Sequence, residues 1–138
     1  MRISKNMIAK IWEVKGYKAP PPPTERTLKI LFSPELGTTD KVTVLASFIP
    51  PGGTTGLHSH DVDEIIYIAS GRGVYVEGDK EHPVEPDVVL YAPAKVAHEV
   101  RNTGDETIKL LCVYVPPVKP SEVIMKAIEA AKGSRSSG

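Results

Sequence analysis

Residues 52–71 read GGTTGLHSHDVDEIIYIASG: His58 and His60 flank one serine, Glu64 follows four positions after His60, and Gly52 and Gly71 bracket the stretch. In an extended chain His58 and His60 point to the same side with Cα atoms about 6.6 Å apart, close enough for both imidazoles to reach one ion. Glu64 on the same straight strand would lie about 13 Å beyond His60, too far for ligand bonds of about 2.0–2.3 Å. The chain must therefore turn at Asp61-Val62-Asp63, where the two aspartates are good turn formers. Glu64 then opens a second strand beside the first, and Ile65 to Ile68 carry that strand into a core. The opposing reading, polar residues on the wet face of an ordinary strand, asks for no ligand from elsewhere. The rest of the chain decides between the two.

The chain has 138 residues, 41% hydrophobic and 25% charged, which suits one globular domain with one core. Lys plus Arg and Asp plus Glu balance at 17 each, so no charge excess drives nucleic-acid binding. No apolar run is long enough to span a bilayer. The single cysteine, Cys112, has no intramolecular partner and lies in an apolar run, which reads as a small buried hydrophobe. The N-terminal MRISKNMIAK lacks the apolar stretch of a signal peptide, so a cytoplasmic location is expected.

Thirteen prolines and eleven glycines cut the chain into short pieces rich in Val, Ile, Tyr and Thr, the texture of an all-β sandwich or barrel. The pattern predicts strands near residues 9–14, 27–32, 42–49, 56–60, 64–69, 73–77, 81–84, 88–91, 97–102 and 107–115. Gly78-Asp79 reads as a two-residue type II′ hairpin loop, and residues 102–106 as a second tight link. The run Ala19-Pro-Pro-Pro-Pro23 reads as a stiff, extended connector across a barrel end. After Pro120 the period changes. Ser121 is a good N-cap, Glu122 suits the positive end of a helix, and Ile124 and Ile128 with Val123, Ala127 and Ala131 form an apolar stripe. One domain over residues 1–132 is expected, with 133–138 a disordered tail.

A fourth ligand should come from a distant strand, and His98 is the best candidate, since it follows the turn Ala92-Pro-Ala-Lys95 and opens a β-like run to Asn102. His82, just before Pro83 in an exposed-looking hairpin, is not expected to join it. With these residues in view, the sequence resembles the cupin superfamily. The first cupin motif, G-x5-H-x-H-x3-E-x6-G, is matched in full by Gly52, His58, His60, Glu64 and Gly71. The second, G-x5-P-x-G-x2-H-x3-N, is matched by Pro93, His98 and Asn102, while Asp87 and Lys95 stand where glycines are usual. Those two departures predict shifted loops, because non-glycine residues avoid positive φ. The resemblance spans residues 42–116. It implies a double-stranded β-helix of the jelly-roll type with a metal inside, and similarity to small single-domain, often dimeric, members.

Taken together, His58, His60, Glu64 and His98 are expected to hold a divalent transition metal (Mn, Fe, Co, Ni or Zn), because three imidazoles and a carboxylate form a borderline-to-hard donor set. Two coordination positions left open on an octahedral ion suit small oxygen-bearing ligands. The walls are expected to be apolar, from Leu57, Ile66, Ile68 and Val100; Tyr67, Tyr75, Tyr91 and Tyr114 read first as packing residues. Asp61 and Asp63 are turn formers before they are supports of the site. No residue declares itself as a catalytic base. Three functions stay open: a metalloenzyme of the dioxygenase, decarboxylase or isomerase kind, a metal-dependent binding module for a small acid or sugar, and a regulatory partner with a vestigial site. Ile8, Ile11, Trp12 and Val14 add apolar surface outside the matched region, which predicts a homodimer.

Overall fold

The computed structural model describes residues 7–135. Among the described residues nine strands and one α-helix follow in chain order: β1 Tyr17–Ala19, β2 Arg26–Phe32, β3 Thr43–Ile49, β4 Asp63–Ser70, β5 Gly73–Glu77, β6 Lys80–Val84, β7 Val89–Ala92, β8 His98–Arg101, β9 Ile108–Val115 and α1 Glu122–Arg135. All pairings are antiparallel. A six-stranded sheet runs β1-β2-β3-β9-β4-β7, and a three-stranded sheet runs β6-β5-β8. This is the jelly roll anticipated from the sequence, with a short C-terminal helix.

The alternation of each strand builds the interior. Leu45, Ser47 and Ile49 of β3, Leu110, Cys112 and Tyr114 of β9, and Glu64, Ile66 and Ile68 of β4 point inward at every second position. Register locks them into rungs: Leu45, Cys112 and Ile66 lie side by side, as do Thr43, Tyr114 and Glu64. Ile30, Ile49, Ile68 and Ile108 are fully buried, and each contributes about 1.5–3 kcal/mol. Gly71 and Gly73 let β5 approach its neighbours: a Cβ on Gly73 would lie 2.1 Å from the Arg101 carbonyl oxygen, and one on Gly71 2.7 Å from Ile108 Cα. Gly78 takes φ 61 while Asp79 stays out of the positive-φ region, as a type II′ hairpin requires.

Several expectations are corrected. Residues 9–14 form no strand; Ile11–Glu13 is a 3₁₀ turn, closed by Val14 N–H donating to Ile11 O at 3.2 Å. The apolar spacing there, Ile8 to Ile11 and Trp12, is three to four rather than two, which favours a helical turn. Residues 56–60 likewise make only an isolated bridge, at His58. The proline run is the loop of the β1–β2 hairpin, in which Ala19 pairs with Arg26, rather than an extended connector. The helix continues through Gly133 and Ser134 to Arg135, inside the segment expected to be tail. Its end is docked, since Ser134 Oγ accepts from Lys15 N–H at 3.0 Å and donates to Ala131 O. Residues 136–138 lie outside the described part.

The helix starts where the sequence placed it: Ser121 Oγ accepts from Ile124 N–H at 3.2 Å. Ile124, Ala127, Ile128 and Ala131 are buried at helical spacing. Ser121, Val123 and Ile124 thereby form part of the wall of the interior cavity. Among the described residues no helix is long and apolar enough to cross a membrane.

Candidate metal centre

The first motif meets the second at two bridges, Thr54 with Arg101 and His58 with His98. His58 N–H donates to His98 O at 3.0 Å and His98 N–H donates to His58 O at 2.8 Å, so the two residues face each other as a hydrogen-bonded antiparallel pair. The chain then bends at Asp61-Val62, and β4 begins at Asp63, as the distance argument required. Asp63 pins that bend to the far loop, its carboxylate accepting from Ala94 N–H at 2.8 Å and from the Tyr91 hydroxyl. Lys95 N–H donates to His60 O at 2.6 Å, closing the same corner.

These ties gather His58, His60, Glu64 and His98. Each offers one ligand atom, and the four atoms lie within 4.8 Å of one another. The imidazole centroids are 4.7 Å apart for His58 and His60, 4.7 Å for His58 and His98, and 5.5 Å for His60 and His98. Glu64 Oε1 lies 3.0 Å from His98 Nε2 and 3.4 Å from His60 Nε2. Backbone carbonyls set the tautomers. His58 Nδ1 is 2.6 Å from Gly56 O and His98 Nδ1 is 3.1 Å from Val96 O, so in both rings Nδ1 carries the hydrogen when the ring is neutral and Nε2 keeps its lone pair for the centre. His82 sits on β6 opposite Tyr75, exposed and away from the cluster.

The electrostatics match a charged group awaiting a cation. Burial pushes the Glu64 carboxyl up, but the His60 and His98 imidazoles outweigh it and hold the pKa at about 2, so Glu64 is an anion at neutral pH. Burial lowers the His58 pKa, only partly offset by the Gly56 carbonyl, which favours a neutral ring. His98 moves the other way. Burial opposes its charge, yet the hydrogen bonds to Glu64 and Val96 O raise its pKa overall. His60 Nε2 is buried without a hydrogen-bond partner. A buried polar nitrogen without a well-formed hydrogen bond is costly unless something occupies it, and a divalent ion fits this donor set.

Two comparisons bear on lineage. A model of the cupin domain matches residues 47–114. The uncharacterized protein MJ1618 of Methanocaldococcus jannaschii is 31% identical over 91 residues, 65% of this chain and 73% of that protein. This chain belongs to the cupin family. The oxalate-binding protein of Thermotoga maritima is 34% identical over 68 residues, 49% of this cupin and 56% of that protein. The crystal structure of a predicted oxalate decarboxylase, also from Thermotoga maritima, superposes with a TM-score of 0.71 at 25% identity, covering 80% of this cupin and 99% of that chain.

The cluster opens on a cavity of about 380 Å³, within the range of small-ligand sites. Its walls differ from those expected. Ile66 and Val100 line it, but Leu57 is 62% exposed and Ile68 is sealed behind the lining. Of the four tyrosines Tyr114 alone lines the cupin cavity, opposite Glu64 in register and edge-on to His60 at 5.0 Å. Burial, then the charge of Glu64, raises its pKa far above the usual phenol value, so it keeps its O–H. Cys112 lines the wall as a buried thiol, its pKa raised by burial first. Tyr67 and Tyr91 instead hydrogen-bond Asp87 and Asp63 on the exposed side. Asn102, from the second motif, is a clamp: its Nδ2 donates to Ile49 O at 2.9 Å and Glu106 O at 2.7 Å. Arg26 and Ser47 also line the cavity, and neither was anticipated. The sequence did carry a signal for Arg26, which is in phase with Leu28 and Ile30, the inward positions of β2.

Proposed function

We propose that this cupin holds a divalent transition metal on His58, His60, Glu64 and His98 and acts as a metalloenzyme of the dioxygenase, decarboxylase or isomerase kind on a small oxygen-bearing acid. The observation that carries the reading is the convergence of four ligand atoms within 4.8 Å at the wall of a cavity of about 380 Å³. The metal, when bound, supplies a Lewis acid that polarises the oxygens of the substrate.

The chain's own residues supply the rest. Carbonyls of Gly56 and Val96 orient two imidazoles, and the anionic Glu64 neutralises part of the metal's charge. Ile66, Val100 and Leu110 keep the walls dry, which strengthens each polar contact made inside. Tyr114 offers a neutral hydroxyl donor beside Glu64, a group able to give a hydrogen bond to a substrate oxygen. The likeness to a protein named as oxalate-binding favours a second reading, in which a small acid is captured without turnover.

The experiment is metal analysis of protein purified without added metal, then a screen of small acids and sugars for thermal shift, oxygen uptake and carbon dioxide release. Turnover of one compound supports the enzyme; tight binding with no product supports the binding module. Absence of stoichiometric metal after loading would overturn both.

A further inference from the structure

Among the described residues two buried side-chain polar atoms lack a hydrogen-bond partner, His60 Nε2 and Ser47 Oγ, and both residues line the one cavity. A metal accounts for the first. Nothing yet accounts for the second. Ser47 is 3% exposed on β3, and a buried hydroxyl left unpaired is destabilising unless a ligand completes it.

Register places this hydroxyl away from the metal cluster. Ser47 is opposite Leu110, whereas Glu64 is opposite Tyr114, four residues further along β9, or about 13 Å of strand. Ser47 therefore belongs to another part of the cavity. Leu28 is its neighbour on β2, and Arg26 follows at the next inward position of that strand. The Arg26 guanidinium is half-buried and lines the same cavity. It donates to Thr24 O at 3.1 Å and forms no ion pair among the described residues, which leaves most of its five donors unused. Burial works against its charge, and the field of the Glu64 carboxylate supports it. A half-buried cation with spare donors, lining the same cavity as a buried unpaired hydroxyl on the neighbouring strand, is a ready anion site, and a planar carboxylate fits the guanidinium fork best.

We propose that the ligand of this cupin is a dicarboxylic acid whose one end meets the metal cluster and whose remote carboxylate is held by Arg26 and Ser47. The proposal rests on the metal reading above and narrows its substrate class.

The test uses full-length protein loaded with manganese(II) and two acids with the same chelating head, 2-hydroxyglutarate, which has a remote carboxylate, and 2-hydroxyvalerate, which has a methyl there. Calorimetry is expected to show the diacid binding about tenfold or more tighter. Arg26→Gln should abolish that preference while leaving manganese content and monoacid affinity unchanged. Should Arg26→Gln fail to fold, Arg26→Lys, which keeps the charge, should retain a reduced preference. Ser47→Ala should weaken diacid binding several-fold with the melting temperature unchanged or raised, since it removes an unpaired buried hydroxyl. Equal affinity for both acids in manganese-loaded protein would overturn the anion subsite alone. Failure to take up manganese would overturn the metal reading and this proposal with it. A Ser47→Ala protein that melts lower yet binds the diacid normally would make Ser47 structural.

Discussion

His58 and His98 face each other across a single two-hydrogen-bond bridge, 3.0 and 2.8 Å, while each ring's Nδ1 sits on a carbonyl two residues before it in its own chain segment, Gly56 O and Val96 O. The backbone thus aims both Nε2 atoms at one point before any ion arrives. Preorganisation of this kind means that losing one imidazole removes a ligand without letting another residue take its place.

His98→Ala is therefore expected to lose most of its bound metal, since His98 is the one candidate ligand from the second sheet. In the unaltered protein, metal at about a hundredfold excess over its Kd should stabilise the fold by about 2.7 kcal/mol. That rise in melting temperature should vanish in His98→Ala. The control is His82→Ala, on the exposed face of β6, expected to match the unaltered protein in metal content and melting. Equal metal in His98→Ala and the unaltered chain would sink the assignment.

Metal uptake should release a proton. Burial opposes the His98 charge, but its hydrogen bonds to Glu64 and Val96 O raise its pKa in the metal-free fold, which favours the protonated ring, and that proton must be shed to ligate. Titration calorimetry in two buffers of different ionisation enthalpy should give different apparent enthalpies near pH 7, converging as pH rises past the folded His98 value. The same pair sets the acid–base stability of the metal-free protein. Raised His98 contributes stability that is present below about 6.5 and fades as pH climbs through its folded value. Glu64, lowered from 4.5 to about 2, contributes stability present above about 4.5 and lost as pH falls toward 2. Melting temperature against pH, without metal, should therefore fall on both flanks.

We also propose that the chain pairs with a second copy through its N-terminal segment. Met7, Ile8 and Trp12 are 55%, 75% and 78% exposed beside the Ile11–Glu13 turn, an unusual cost for a monomer. Val14, read from the sequence as part of that surface, is instead buried in the chain's own core. Light scattering at micromolar concentration is expected to give twice the chain mass, and Trp12→Asp half of that value. A monomeric mass for the unaltered chain would refute it.

The legible part of this protein was what local pattern controls. Spacing gave His58, His60 and His98 in one motif pair, and the need to turn at Asp61–Asp63 followed from strand length alone. Ser47 was not found because its importance lies in what it lacks, a partner inside a cavity, and no window of sequence displays an unmet hydrogen bond; Arg26 was legible by its phase with Leu28 and Ile30 and was passed over. The N-terminal turn was missed for a different reason: a few apolar residues with mixed spacing cannot distinguish a strand from a 3₁₀ turn until Val14 finds its place in the core.

The two missing glycines make the last case. Their absence predicted shifted loops, yet the backbone keeps the left-handed conformation at both positions, φ 74 at Asp87 and φ 69 at Lys95. The surrounding ties outweigh the side chain's preference: Asp87 N–H donates to Ile68 O at 2.9 Å, and Lys95 N–H to His60 O. An L-residue held there costs about 1–2 kcal/mol, part of which glycine recovers after its own larger unfolded-state entropy is subtracted. Lys95 has an exposed side chain, so Lys95→Gly should stabilise the protein by about 0.5–1 kcal/mol, roughly a 2–4 °C rise in melting temperature. Asp87→Gly should gain less, because aspartate tolerates this region better and its carboxylate accepts from the Tyr67 hydroxyl. Because Lys95 N–H is what ties the loop to His60, the backbone bond survives the substitution and metal affinity should not change. A destabilised Lys95→Gly would mean that the lysine side chain supports the corner, and the strain argument would be wrong.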